Sequence, residues 1–392
     1  MSRPTILFCG VVLLGLVPLV VSVGSNEQVS SIHFYSHFSF LVISCMYNSN
    51  LIASFSIEQG LSKNKPTTHK FINYCYKGCN ESLDDDKQYN EVDWDKYQDS
   101  HCSDNNQSPI NIIPAQVWNN AKIEWRLSHH YSAYHDRVEV MNDGILFVIR
   151  TSTLNEAIVF SVHYGEQEED VAVYLLNNVH FHWGDNALTG SEHAIDGKKY
   201  AAEIHLVHTL EGTTDKDYKN KNKAEKFDTI FAIAILVEEG ERDESFSPIE
   251  GMLNNNLDPS SATLSESFSI YALISKLLNQ GDKNVYYSYH GSLSAPSCDE
   301  IVTWAVFKHP IQLSRRQLNG LRTKVTTKFN SPMVNNFRGL QSTNSRNITA
   351  YSPKIVIIGP GMPEGASTRE MMSLNYYAVM SIVLMLIISN FI

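Results

Sequence analysis

The sequence predicts a mostly β domain, built on one large and mainly antiparallel sheet with helices on its surface. Two observations carry this expectation. Short apolar runs alternate with polar turns at Gly144–Ile149, Val171–Leu176, Phe231–Val237 and Ile301–Phe307, each with the length and composition of a strand. Histidines also fall at strand spacing. In His180-Phe181-His182-Trp183-Gly184, alternate side chains share a face, so His180 and His182 point the same way. A second run of strand character, Glu203-Ile204-His205-Leu206-Val207-His208, supplies a third imidazole at His205. A chain of 392 residues holds one large domain or two ordinary ones.

The ends of the chain read as targeting segments. Ile6 to Val23 is an apolar run preceded by Arg3 and followed by Gly24-Ser25, the layout of a secretory signal peptide over residues 1–24. Residues 25–91 form an extension in which Ser30 to Ile57 is rich in Ser, Phe and His without sustained periodicity, and disorder is expected there. At the other end, residues 351–375 read as a linker and anchor-attachment region. Gly365-Ala366-Ser367 are small, Thr368 to Asn375 mostly polar, and Tyr376 to Ile392 almost wholly apolar. That is the pattern of a GPI-anchor signal whose tail is removed. A single transmembrane helix is the competing reading of residues 376–392, but it is short and no basic cluster follows it. Either way the domain is expected on the outer face of the plasma membrane, attached through its C-terminal anchor. The formal charge of −11 argues against a nucleic-acid partner.

Three neutral imidazoles with one open position are the ligand set of a catalytic zinc, whereas structural zinc sites close with four protein ligands. An isolated His-x-His pair is more often just two histidines in a half-buried sheet, so the surrounding motifs decide. Ser191-Glu192-His193 and Glu203-Ile204-His205 follow the first pair. Gln107-Ser108-Pro109-Ile110-Asn111-Ile112 lies upstream, and Gly291-Ser292-Leu293-Ser294, Val302-Thr303-Trp304 and Asn335-Asn336-Phe337-Arg338 lie downstream. In these ordered motifs the chain resembles the α-class carbonic anhydrases, and specifically their secreted or membrane-anchored branch. The resemblance places the catalytic domain at residues 92–350.

The resemblance implies a central twisted sheet of about ten strands, near the limit for an open twisted sheet, with the metal at the bottom of a cone-shaped cleft. It implies zinc (Zn2+) on His180, His182 and His205, reversible hydration of carbon dioxide to bicarbonate and a proton, and inhibition by sulfonamides. Ser294 stands where the family usually has threonine, as the hydroxyl that receives the nucleophile's hydrogen bond and donates its own proton to Glu192. Glu203 is the implied outer partner of His205. Asn178, where glutamine is common, is that of His180, with a hydrogen bond expected to be long or water-bridged. The Asn336 carbonyl is that of His182. Val207, Ala232, Leu293 and Trp304 match the carbon dioxide pocket, which Ala232 would make roomier. Cys102 and Cys298 match a disulfide of secreted members. With Cys9 lost in the signal peptide, Cys45, Cys75 and Cys79 then leave an odd number, so at least one thiol would have no partner within the chain. Cysteine usage of this kind agrees with an oxidising compartment.

Asn80-Glu81-Ser82 and Asn347-Ile348-Thr349 are glycosylation sequons; Asn106-Gln107-Ser108 is a poorer third because Pro109 follows. One departure bears on rate. Where fast relatives carry a proton-shuttling histidine this chain has Ile145, which cannot relay protons, and the sequence nominates no other histidine. The alternative function is a catalytically weak or inactive ectodomain acting as a binding or adhesion module. Such proteins lose a zinc-ligand histidine, and all three are present here. No protein partner is indicated.

Overall fold

The structure is a computed structural model that describes residues 9–11, 43–45, 76, 91–96, 99–119, 123–133, 138–150, 158–164, 171–213, 228–254, 261–265, 268–278, 284–327 and 331–359. The chain divides into two compact units, Met1–Phe71 and Ile72–Ile392. In the first, strand β1 (Cys9–Val11) pairs antiparallel with β2 (Ile43–Cys45). Most of the signal-peptide segment, the Asn80 sequon, Cys75 and Cys79 and residues 360–392 of the C-terminal anchor region lie outside the described residues, whereas residues 351–359, expected to be linker, include a strand of the sheet.

The second unit is a sheet structure. In chain order its strands are β3 (Asn111–Ile112), β4 (Trp118–Asn119), β5 (Glu124–Leu127), β6 (Val138–Asn142), β7 (Phe147–Arg150), β8 (Val159–His163), β9 (Val171–Trp183), β10 (Ala194–Ile195), β11 (Ala202–Leu210) and β12 (Ile230–Glu239). They continue with β13 (Ser261–Ser265), β14 (Tyr286–Gly291), β15 (Val302–Phe307), β16 (Ile311–Leu313), β17 (Thr349–Tyr351) and β18 (Lys354–Ile357). The short pair β3 and β10 stands apart. The other strands form a 14-stranded sheet ordered β13-β6-β7-β9-β11-β12-β15-β14-β17-β4, with β16 on β12 and a branch β9-β8-β5-β18.

The sheet is mixed and longer than expected. The pairs β12–β15, β12–β16, β4–β17 and β5–β18 are parallel. The residues explain why β12 can accept parallel neighbours. Eight consecutive residues, Ile230 to Val237, are buried, as a strand covered on both faces requires. Of the apolar runs seen in the sequence, Gly144–Ile149 is split. Residues up to Leu146 make a turn, with Gly144 at φ 86°, and the strand begins at Phe147.

Few helices accompany the sheet: α1 (His129–Ser132), α2 (Ser247–Leu253), α3 (Ile270–Leu278) and α4 (Arg315–Lys324). In α3, the buried Ile270, Leu273, Ile274, Leu277 and Leu278 follow helical spacing and join the main core. Helix α4 opens on a capping box, in which Ser314 and Gln317 satisfy each other's backbone N–H groups. Among the described residues, no helix is long and apolar enough to cross a membrane.

Two pairings position the site. Strand β11 lies antiparallel to β9, with His205 opposite His180 and Glu203 opposite His182. Its other neighbour is β12, which sets Val207 opposite Ala232. The loop between β9 and β11 closes tightly. A Cβ on Gly190 would lie 1.8 Å from the Ala201 carbonyl oxygen, so only glycine fits there.

Candidate metal centre and active site

Alternation along β9 brings His180 and His182 to one face, and the β9–β11 register sets His205 beside them. The ligand atoms of the three side chains lie within 4.8 Å of one another. His205 Nδ1 is 3.1 Å from His180 Nε2. Each ring is held by its other nitrogen. His180 Nδ1–H donates to Asn178 Oδ1 at 2.8 Å, His182 Nδ1–H to the Asn336 carbonyl at 2.7 Å, and His205 Nε2–H to Glu203 Oε1 at 2.7 Å. These bonds aim His180 Nε2, His182 Nε2 and His205 Nδ1 at a common point.

The expectation of a long or water-bridged bond from Asn178 is therefore corrected. A side chain two residues along the same strand stands directly beneath the imidazole, and asparagine is long enough to reach it.

The donor set fits a divalent metal that prefers nitrogen. His182 is 1 % exposed, and its Nε2 is buried without a hydrogen-bond partner among the described residues, an expensive arrangement unless a cation takes its lone pair. Burial, with the neighbouring His205 and His182, pushes His180 well below the ordinary histidine range, and burial also lowers His182. Both rings are thus neutral and able to ligate. Burial works against ionisation of Glu203, yet His193 and His205 hold its carboxyl well below the usual range, so it remains a carboxylate acceptor. Three imidazoles at this spacing suit zinc, copper, iron or nickel.

Glu203 also gathers residues to which the sequence assigned no individual role. Its Oε2 accepts the His193 backbone N–H at 2.7 Å and its Oε1 the His193 Nδ1–H at 2.6 Å. His193 Nε2 lies 2.7 Å from the Tyr289 hydroxyl, which lies 2.9 Å from Ser108 Oγ. His193, Glu203 and His205 also cluster closely enough to hold an ion, but their mutual hydrogen bonds make this group the support of the first cluster.

Tyr76 is a second addition. It belongs to the stretch expected to be disordered, yet it is buried with its ring edge-on to His182 at 6.2 Å and to Trp94 at 5.5 Å. The aromatic flanked by cysteines in Cys75-Tyr76 was the available signal.

Glu192 sits beside His182, but among the described residues the expected hydrogen bond from Ser294 is not made. Glu192 Oε1 accepts the Arg338 backbone N–H at 2.8 Å, while Oε2 lies 3.6 Å from His182 Nε2 and has no hydrogen-bond partner among the described residues. A serine lacks the methyl that limits χ1 in threonine, so its hydroxyl is not held toward the glutamate. The turn that carries Ser294 is nevertheless firmly tied. Cys102 and Cys298 are bonded, with Cα atoms 4.9 Å apart and a sequence separation of 196. Gln107 Nε2–H donates to the Cys298 carbonyl at 3.2 Å, and Trp304 Nε1–H to the Ser292 carbonyl at 3.0 Å. Ala232 and Trp304 are buried in one apolar cluster, against which Val207 and Leu293 pack. The Trp304 ring lies 4.8 Å from that of His205, so this apolar wall borders the metal centre. Ile145 is on another side, packed with Leu146 against Tyr76, Trp94 and Cys298.

A profile of eukaryotic-type carbonic anhydrases matches residues 89–352. The chain belongs to this family. Curated relatives agree. Carbonic anhydrase 4 of Oryctolagus cuniculus is 32 % identical over 263 residues, covering 65 % of this chain and 78 % of the relative. Carbonic anhydrase 4 of Rattus norvegicus is 32 % identical over 63 % of this chain and 76 % of its own length. Carbonic anhydrase 12 of Homo sapiens is 31 % identical over 55 % of this chain and 60 % of its own. As a carbonic anhydrase the protein falls in the carbonate dehydratase class of enzymes. The family domain encloses every part of the site described above except Tyr76.

Proposed function

We propose that this carbonic anhydrase hydrates carbon dioxide reversibly at a zinc ion held by His180 Nε2, His182 Nε2 and His205 Nδ1, on the outer face of the plasma membrane. The observation that carries the proposal is the convergence of three imidazoles, each fixed through its second nitrogen. Zinc supplies the Lewis acidity that lets water ionise near neutral pH, a property for which this enzyme family is itself the standard worked case.

The chain's own residues do the rest. Val207, Ala232, Leu293 and Trp304 offer an apolar wall on which carbon dioxide can rest without competing for hydrogen bonds. Ser294 Oγ accepts the hydrogen of the nucleophilic oxygen, which turns a lone pair toward the substrate carbon. In the rotamer that serves this role, its own O–H points to Glu192 Oε2, the acceptor that is otherwise without a partner. Glu203 keeps His205 in the tautomer that presents Nδ1. Carbon dioxide and water give bicarbonate and one proton. Export of that proton is expected to limit turnover, because Ile145 offers no base.

Attachment by a GPI anchor follows from the small residues at Gly365-Ala366-Ser367 and the apolar tail after Tyr376. A phosphatidylinositol-specific phospholipase should release the protein from cell membranes. A resistant protein that retains residues 376–392 would instead span the bilayer. Asn347 is exposed, as a glycan acceptor must be.

The function is tested by stopped-flow carbon dioxide hydration on the full chain, with a primary sulfonamide as competitor for the open metal position. Hydration that the sulfonamide abolishes is expected. Its absence would favour the binding-module alternative, for which the unmade Ser294–Glu192 bond is the supporting observation.

A further inference from the structure

We propose that Asp143 is the proton acceptor of this site, taking through intervening water the proton released by hydration and passing it to buffer at the mouth of the cleft. The proposal rests on the carbon dioxide hydration reading. It starts from the turn that follows β6. There Asp143 Oδ1 accepts the backbone N–H of Ile145 at 2.9 Å and of Leu146 at 2.6 Å, while Asn142 Oδ1 accepts that of Gly144 at 2.9 Å. Asp143 is the one titratable side chain in Asn142-Asp143-Gly144-Ile145-Leu146.

A single residue ties this turn to the metal centre. Asn336 Nδ2–H donates to the Ile145 carbonyl at 3.4 Å, and the Asn336 carbonyl receives the His182 Nδ1–H at 2.7 Å. The strand that leaves the turn places Val148 directly opposite His180. Asp143 is thus held in a turn that Asn336 bonds to the histidine cluster, and in which Ile145 and Leu146 offer only hydrocarbon.

The chemistry of the carboxyl group suits the task. Both turn N–H groups fall on Oδ1, so Oδ2 is the oxygen that exchanges a proton. In each turnover water gives up one proton, the Oδ2–H bond forms, and it breaks again when a buffer base takes the proton. No other co-reactant is needed. An ordinary aspartate at a pKa of about 3.9 would be too weak a base at neutral pH. Burial raises Asp143 above that range, opposed by the two turn N–H groups and by the charge of Arg150 on β7.

The test is Asp143→Asn in the full chain, since asparagine keeps the Oδ1 acceptor and so the turn. In weak buffer kcat should fall about 10-fold, within the range of general acid–base catalysis. Added imidazole should restore it, and kcat/KM should stay unchanged. A second readout avoids turnover altogether. Difference infrared titration of the metal-free wild type against Asp143→Asn should show one carboxyl band protonating above the ordinary aspartate range. An unchanged kcat in weak buffer, or a band titrating at or below that range, would overturn the proposal. So would kcat and kcat/KM falling together without rescue, which marks a purely structural residue. A wild type with no hydration at all would overturn the parent reading, and this one with it.

Discussion

Ser294 is the residue at which this chain departs most sharply from the geometry its family motifs lead one to expect. Among the described residues Glu192 Oε2 is buried without a partner, and serine lacks the methyl that would restrict the rotamer of the hydroxyl expected to fill that role. Ser294→Thr is expected to raise kcat/KM for carbon dioxide by about 2- to 10-fold, corresponding to the 0.5–1.5 kcal/mol typical of holding or losing a rotamer. Stopped-flow initial rates at low substrate check this, and an unchanged kcat/KM would show that serine already orients the nucleophile. The candidate metal ligands were the part of the site most legible in the sequence. His180, His182 and His205 belong to strands whose period of two can be read directly, and Glu203 stands two residues from His205. Asn336 and Tyr289 were not legible from periodicity, because they reach the site across 154 and 96 residues. Asn336 came from the family motif. Tyr289 came from neither.

At the scale of elements, the turn between β6 and β7 is where the proposed proton export is tested. Its Gly144 adopts a left-handed φ and its Asp143 accepts two N–H groups, so a histidine at position 145 can be presented without remaking the backbone. Ile145→His should raise kcat in weak buffer by about 10-fold, because an imidazole of pKa near 6.5 is matched to the proton donor. The gain should vanish in concentrated imidazole, with kcat/KM little changed. If kcat in weak buffer does not move, proton export is not the slow step. The antiparallel core of the sheet could be anticipated from alternating strands, but its parallel margins could not. Alternation reports which face a residue takes and says nothing of the direction of the neighbouring strand. Only the unbroken apolar run from Ile230 to Val237 hinted at it.

The whole molecule joins the site to stability through buried histidines and the disulfide. His208, on the same strand as His205, donates Nδ1–H to the Phe231 carbonyl at 3.1 Å, and its Nε2 lies 3.2 Å from the Tyr131 hydroxyl. Burial lowers its pKa to about 4. The unfolded chain therefore binds a proton below about pH 6.5 that the folded chain refuses until about pH 4. Its contribution is fully present above pH 6.5 and lost as the pH falls through that window, by about 3 kcal/mol in all. Urea midpoints at neutral and acidic pH should show this loss in wild type and a smaller one in His208→Gln; equal losses would remove His208 from the account. The Cys102–Cys298 bond adds on the order of 5 kcal/mol by loop entropy and holds the Ser294 turn to the N-terminal arm.

The catalytic predictions presuppose a zinc ion at the three imidazoles. The most direct measurement follows zinc content and carbon dioxide hydration together through chelation and reloading, with His205→Ala in parallel. The account predicts one zinc per wild-type chain, hydration lost with the metal and regained on adding zinc, and zinc affinity in His205→Ala weakened by more than ~100-fold, beyond what loss of an outer partner causes. Full hydration after zinc removal, or undiminished zinc binding and hydration in His205→Ala, would contradict it.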